Sequence, residues 1–173
     1  MPTGTGELRL TGAATGSSAV QLNAGSLALL ASNAGWGTGT LQMATGTTLR
    51  LGLPSPATLA NNIVLGEGAG ATIIASSATF SGALSGGALT IASGLGADGP
   101  SVVRLTGTNI YGATTIGAGN TLLIGTVGNN GTLGTGNVTV NTGATLRFEG
   151  NNNTVGNVIS GAGRLVRDGL GTT

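Results

Sequence analysis

Five carboxylic acids are the side chains of this sequence best suited to acid–base chemistry. They are Glu7, Glu67, Asp98, Glu149 and Asp168. Enzymes that cleave glycosidic bonds need clustered carboxylates, or an Arg or Lys activated as a base. These five acids are far apart along the chain, and although Glu7 and Asp98 begin equivalent segments, no third group accompanies them. The sequence favours solvated surface acids, and we predict that the protein is not an enzyme.

Metal and nucleophile chemistry has no support in the composition. The 173 residues include no His and no Cys, which excludes a thiol nucleophile, a disulfide framework and ordinary zinc or iron sites. The glycine-rich turns lack the Asp of calcium repeats and the Lys of a phosphate loop. With a net charge of +1 and 6% charged residues, nucleic acid and anionic membranes are poor partners. We predict no catalytic, cofactor-binding or metal-binding residues.

All six basic residues are arginines, and four of them occupy equivalent positions in a long repeat. Arg9 corresponds to Arg104, and Arg50 corresponds to Arg147. Because aliphatic residues alternate with them, we expect these arginines to point outward from strands. Solubility and protection against lateral pairing are the favoured interpretation. A ladder of arginines that binds a ligand is the alternative.

Two aromatic residues and several threonine pairs could serve as binding surfaces. Trp36 and Tyr111 could stack on sugar rings, but Trp36 corresponds to Leu133, which favours packing within a turn. Flat threonine arrays on solenoids can bind ice. The Thr-x-Thr pairs at 38/40, 45/47 and 106/108 fall in turns and at different places of the repeat. The sequence therefore predicts no regular ice-binding face.

Short runs of alternating apolar and polar residues fill the chain. Pairs such as Leu8/Leu10 and Leu49/Leu51 recur about every ten residues between Gly and Asn, which is typical of half-buried strands. The 35 glycines would each penalise a helix by up to about 1 kcal/mol. A hydrophobic fraction of 39% and a mean hydropathy of +0.34 argue against a disordered chain. We predict an all-β protein without helices.

A long internal repeat organises these strands. Residues 7–12 return as 102–107, and residues 45–51 return as 142–148, with an offset between about 94 and 97. We predict a single β-helix segment over 1–173, with long units at 7–74 and 102–168 and a shorter connecting copy at 75–101. In such arrays each unit buries its apolar face on its neighbours.

Regular turns and medium-sized aliphatic residues favour a solenoid over a sandwich or a propeller. Greek-key connections vary in length, and propeller blades usually carry an aromatic signature, whereas this chain has one Trp. We predict a single-stranded parallel β-helix with three strands per coil and five or six coils. At about 4.8 Å per coil, such a rod is roughly 25–30 Å long.

The order of short motifs resembles the autotransporter passenger-associated β-strand repeat. Its Leu-Thr-Gly strand end with an Asn-x-Tyr turn corresponds to residues 105–111, and its Thr-Thr-aliphatic segment before Ala-Gly corresponds to 114–119. The Leu-Gly-Thr-Gly turn corresponds to 133–136, and the Ile-Ser-Gly-x-Gly-x-Leu segment corresponds to 159–165. The resemblance covers essentially the whole chain. The first unit departs from it, because residues 13–16 read Ala-Ala-Thr-Gly where the Asn-x-Tyr turn would be.

This resemblance implies a right-handed parallel β-helix from the secreted passenger of a type V autotransporter, exposed on the bacterial outer-membrane surface. It implies a structural, non-enzymatic stalk or adhesin rod whose target would be a cell-surface protein or a glycan. Anchoring would come from a translocator domain outside this chain. Residues 1–4 lack the basic and apolar features of a signal peptide, and no apolar stretch approaches the length of a membrane span.

Two other functions stay open at this point. One is an extracellular fibre module that self-associates head to tail through the open ends of the β-helix. The other is a glycan-active β-helix enzyme, which rests on fold analogy alone.

Overall fold

The architecture is an all-β solenoid. The computed structural model describes residues 6–29, 36–52, 57–94 and 99–169. Within these ranges the chain forms eighteen strands and no helix. All the strands pair in parallel and stack into a β-solenoid of about seven turns. The predicted all-β class and parallel β-helix architecture are confirmed.

Three sheets form the walls of the solenoid, and they cover different parts of its length. Sheet A has eight strands: β1 (Glu7–Leu10), β3 (Ser26–Leu29), β5 (Thr48–Leu51), β8 (Ala71–Ala75), β11 (Leu89–Ile91), β13 (Thr114–Ile116), β15 (Val138–Val140) and β17 (Ile159–Ser160). Sheet B has four strands: β2 (Val20–Leu22), β4 (Leu41–Met43), β7 (Ile63–Leu65) and β10 (Leu84–Gly86). Sheet C has six strands: β6 (Ala57–Leu59), β9 (Ala78–Phe80), β12 (Val102–Leu105), β14 (Thr121–Ile124), β16 (Thr145–Phe148) and β18 (Arg164–Arg167).

Each turn is shorter than the sequence predicted, so the predicted five or six coils were too few. Register partners on sheet A are 18 residues apart between Ile73 and Ile91, and 25 residues apart between Ile91 and Ile116. The reason is that a strand with its connection takes fewer than ten residues: the turn from Ile73 to Ile91 carries strands on all three walls, β8, β9 and β10. Other described turns have regular strands on only two walls, and residues 11–19, 106–113 and 131–137 cross the third wall without a strand. Eight stacked strands at about 4.8 Å make a rod about 34 Å long.

The long repeat is a screw rather than a simple translation. Strand β1 lies in sheet A, whereas its repeat equivalent β12 lies in sheet C, and the equivalent strands β4 and β15 lie in sheets B and A. Four steps along sheet A lead from β1 to β11, and β12 follows on the next wall. The second unit is therefore displaced by four turns and rotated by one wall.

One continuous core runs through all turns. Inward aliphatic residues such as Leu49, Ile73 and Leu122 are fully buried and belong to a single cluster. Each such burial contributes roughly 1.5–3 kcal/mol. The strand backbones bond to the turns above and below, so their polar groups are satisfied along the axis. Each turn consequently depends mainly on its two neighbours.

Asparagine side chains bond to the glycine-containing connections of the preceding turn at two equivalent places in the repeat. Asn61 donates from Nδ2 to the carbonyl oxygens of Gly37, at 3.0 Å, and Gly39, at 2.8 Å, in the preceding turn. Asn157 makes the equivalent pair of bonds one repeat later, at 2.8 and 2.7 Å. A β-carbon at Gly39 would collide with the carbonyl of Ser18 below it, which explains the glycine there.

The Asn of the Asn-x-Tyr turn joins three successive turns of the solenoid. Asn109 is buried, and its Oδ1 accepts a hydrogen bond from the Leu84 N–H at 2.9 Å. Its Nδ2 donates to the carbonyl of Thr132 at 2.7 Å and to that of Gly107 at 3.0 Å. Its role in this structure is therefore to bond the turn below to the turn above.

The substitution Leu105→Asp tests which side of sheet C faces the core. Leu105 is fully buried, so an Asp there would leave an unpaired carboxylate in apolar surroundings and cost about 3 kcal/mol or more. Thr121→Asp, at an outward position of β14 in the same sheet, is the matched control and should change the free energy of unfolding by less than about 0.5 kcal/mol. Urea titrations measure both. Equal losses would contradict the assignment of inward and outward positions, and a larger loss for Thr121→Asp would mean that they are exchanged.

Candidate functional site

One outward position of sheet A carries a hydroxyl residue in seven consecutive strands. Register pairing joins, from first to last, Ser26, Thr48, Thr72, Thr90, Thr115, Thr139 and Ser160. At about 4.8 Å per strand, this hydroxyl column is about 29 Å long. The Thr-x-Thr pairs of the turns take no part in this column, which is built from other residues and was not predicted from the sequence.

The hydroxyl groups of the column are available to molecules outside the protein. In the described ranges, the side chains of its first six residues form no hydrogen bond with another residue, and Ser160 donates to the Val138 carbonyl at 3.3 Å. Each hydroxyl offers one donor and two acceptor lone pairs. Because threonine is branched at its β-carbon, few χ1 rotamers are open to it, and the hydroxyl positions are largely preset.

The surroundings of the column change along the rod. Two residues after each hydroxyl, the first three strands of the column carry Ala28, Arg50 and Ile74. The next three turns carry Ala92, Gly117 and Asn141 at this place, and their N–H groups continue the stacking by bonding to the preceding turn. From Thr72 onward, the neighbours on this side are therefore uncharged.

A carboxylate bridges two arginines at the first end of sheet A. Glu7 contacts Arg9 at 3.2 Å and Arg50 at 2.8 Å, two strands further on. Ala28 lies between the two arginines in the register and is buried. A cavity of about 70 Å³ opens beside this cluster, which is small for a ligand pocket.

The equivalent arginines form a similar cluster on sheet C. Arg104 contacts Glu149 at 2.5 Å, and Arg147 contacts the same carboxylate at 3.1 Å. Arg147 also forms an ion pair with Asp168, and Leu123 lies between the two arginines in the register. The predicted outward orientation of the four arginines is confirmed. Each of them contacts a carboxylate of this chain, so the four do not form a ladder of arginines whose charges await an anionic ligand.

The substitution Glu149→Gln tests the sheet C cluster. It removes the charge shared by Arg104 and Arg147, and we expect a loss of about 1 kcal/mol that shrinks at high salt, because partly exposed ion pairs are screened. Glu67→Gln is the control, since Glu67 is exposed and should give no measurable change. Guanidinium is itself a salt, so urea titrations at low and high NaCl are the measurement. Identical losses for the two variants would contradict a stabilising role.

The structure brings together only some of the five candidate acids. Glu149 and Asp168 meet at Arg147, whereas Glu7 lies in the separate cluster of sheet A. Asp98 lies outside the described residues. Among the described residues, no group of three His, Cys, Asp or Glu could hold a metal ion.

Both candidate sugar-stacking residues are buried. Trp36 is 5% exposed and donates from its indole nitrogen to the Gly39 carbonyl at 3.2 Å. This confirms its predicted packing role in a turn. Tyr111 is fully buried, and its hydroxyl accepts a hydrogen bond from the buried Thr114 at 3.2 Å. Burial raises the pKa of Tyr111, and the hydrogen bonds with Thr114 and the Gly134 backbone oppose that rise.

Tyr111 makes the stability of the fold depend on pH at the alkaline end. Because its pKa is raised by folding, the unfolded chain ionises first, so stability is fully present below about pH 10 and declines above it. Tyr111→Phe should cost about 1–2 kcal/mol at pH 8 by leaving the Thr114 hydroxyl unpaired, and should reduce the decline between about pH 10 and 11. Urea titrations at pH 8 and between about pH 10 and 11 measure the free energy of unfolding of both proteins. An unchanged alkaline slope would assign the decline to another group.

Two larger concavities lie elsewhere on the solenoid. One, of about 160 Å³, lies between the last turns and is lined in part by Phe148, Asn153 and Asn157. The other, of about 380 Å³, opens at the first end of the rod beside Leu8 and Leu22. Only the second has the volume of a typical small-molecule site, and it is an open concavity at the end of the core rather than a closed pocket.

In comparisons with known proteins, no protein-family model, no curated protein and no solved structure matches this chain. Within the described residues, none of the secondary structure is a helix that could cross a membrane.

Proposed function

We propose that this chain is a structural, non-enzymatic segment of a surface-exposed autotransporter passenger, acting as a stalk or adhesin rod. The observation that carries the proposal is the continuous core, which runs through all turns without a break. Sheet A spans the full set of turns with parallel pairing at every step. A rod of this kind resists bending because the wall formed by sheet A is a continuous hydrogen-bonded sheet of eight strands.

The motif residues of the family resemblance support this proposal through their contacts. Asn109 bonds to three turns, and Asn157 bonds to two glycine carbonyls in the preceding turn. Tyr111 fills the core beside Thr114. These contacts give the Asn-x-Tyr and Leu-Gly-Thr-Gly signatures a role in stacking turns, which is what a spacer requires.

The proposed mechanism is mechanical. The rod would hold a distal element away from the outer membrane, with the translocator domain supplied by the rest of the parent protein. Export would be assisted by stacking, because each turn that emerges buries its aliphatic residues on the preceding turn and opposes backsliding. The adhesion target would be a cell-surface protein or a glycan.

Surface display tests the proposal. The chain would be expressed with a signal peptide and an epitope tag before it and an autotransporter translocator barrel after it. We expect the tag to be accessible to antibody on intact bacteria and the segment to resist added protease. Leu105→Asp should lower both readouts, whereas Thr121→Asp should preserve them. Failure of the wild-type segment under conditions that display an unrelated passenger would contradict the proposal.

A head-to-tail fibre module is the second candidate, favoured by apolar residues at both ends of the described rod. Leu8 on β1 is 58% exposed, and Leu165 on β18 is 59% exposed. Arg167, however, is the register partner of the inward Phe148, which places a charged residue at a core position of the last strand. Electron microscopy over a concentration series distinguishes the two candidates: unbranched filaments one solenoid wide support the fibre, and short particles at every concentration refute it.

A further inference from the structure

The hydroxyl column has features that neither a spacer nor a fibre requires. Its residues repeat at the spacing of hydrogen-bonded strands, about 4.8 Å, over seven strands of one wall. A loosely held polar surface would not keep such a spacing. Here the backbone ladder fixes each α-carbon, and β-branching limits the side-chain rotamers. Binding through these hydroxyls would therefore lose little conformational entropy.

The central part of the column is also neutral and low in relief. Thr72, Thr90, Thr115 and Thr139 are in register, and the side chains beside them from Ala92 onward are small or uncharged. The arginine clusters lie on the first strands of sheet A and on sheet C. Each threonine presents a methyl group next to its hydroxyl, so the strip combines weak hydrogen bonding with apolar surface.

These features select the chemistry of the partner. An anionic polymer would need cationic residues along the strip, and the arginines that could serve are held by carboxylates elsewhere. Sugar rings bind preferentially to aromatic surfaces, but Trp36 and Tyr111 are buried. The remaining partner is a flat, neutral, hydrogen-bonding lattice whose oxygen atoms repeat at nearly the strand spacing. Crystalline water has these properties.

We propose that the hydroxyl column from Thr72 to Ser160 on sheet A is an ice-binding strip. Its threonine hydroxyls occupy positions of the water lattice, and their methyl groups lie in the depressions between lattice oxygens. Strands β8, β11, β13, β15 and β17 form the strip, and its activity would be independent of whether the chain is a stalk or a fibre.

The test compares two threonine-to-lysine variants of the whole chain. Thr115→Lys places a long charged side chain in the middle of the strip. Thr121→Lys places the same side chain on an outward position of sheet C, with a starting exposure in the same half-buried range. Ice-affinity partitioning and inhibition of ice recrystallisation are measured for wild type and both variants, with thermal melts to show that all three are folded.

The expected result is enrichment of the wild type in ice, a loss of at least about tenfold in recrystallisation inhibition for Thr115→Lys, and wild-type behaviour for Thr121→Lys. If Thr115→Lys unfolds, Thr139→Lys, at the most exposed threonine of the strip, replaces it. A wild-type chain that partitions into ice no better than an inert protein of similar charge overturns the proposal. Equal activity in the two variants also overturns it, as does binding to crystalline cellulose or chitin without binding to ice.

Discussion

The parallel ladder of backbone hydrogen bonds between successive turns is the constraint on which the rest of this structure depends. It sets one spacing, about 4.8 Å, for every feature that repeats along the rod. Core aliphatics stack on aliphatics because the ladder places them in register, as with Leu49 and Ile73. The same ladder aligns the hydroxyl residues of sheet A and brings arginines two strands apart within reach of one carboxylate.

Polar side chains bond to backbone groups that the ladder of strand hydrogen bonds does not reach. The connections without a strand, such as residues 106–113 and 131–137, lack strand pairing, so their backbone groups need other partners. Asn61, Asn109 and Asn157 supply these partners by bonding to carbonyls of neighbouring turns. Glycines allow the close approach of stacked backbones, as at Gly39 above Ser18. The apolar core, the backbone ladder and these asparagine contacts together let each turn stabilise the next.

Strand identity and orientation were predictable from the sequence, whereas the arrangement of turns was not. Alternating pairs such as Leu49/Leu51 predict buried inward positions, and both are buried. The coil count failed because the turns vary between 18 and 25 residues, which is fewer than three strands about ten residues apart would need. That variation also hides the hydroxyl column, whose members have no constant spacing in the sequence. One signal was present: Thr48, Thr72, Thr90, Thr115 and Thr139 each precede a buried aliphatic residue.

The rotation between the two repeat units decides how charge is distributed around the rod. The arginine-bearing strands lie on sheet A in the first unit, and their equivalents lie on sheet C in the second. In the second unit, the strands on sheet A are the repeat equivalents of the uncharged strands of sheet B. Thr139, for example, occupies the repeat position of Gln42. The charged stripe therefore winds around the axis and leaves the second half of sheet A neutral. A partner that followed the arginines along the rod would have to turn with them, whereas one that followed the threonines could remain straight.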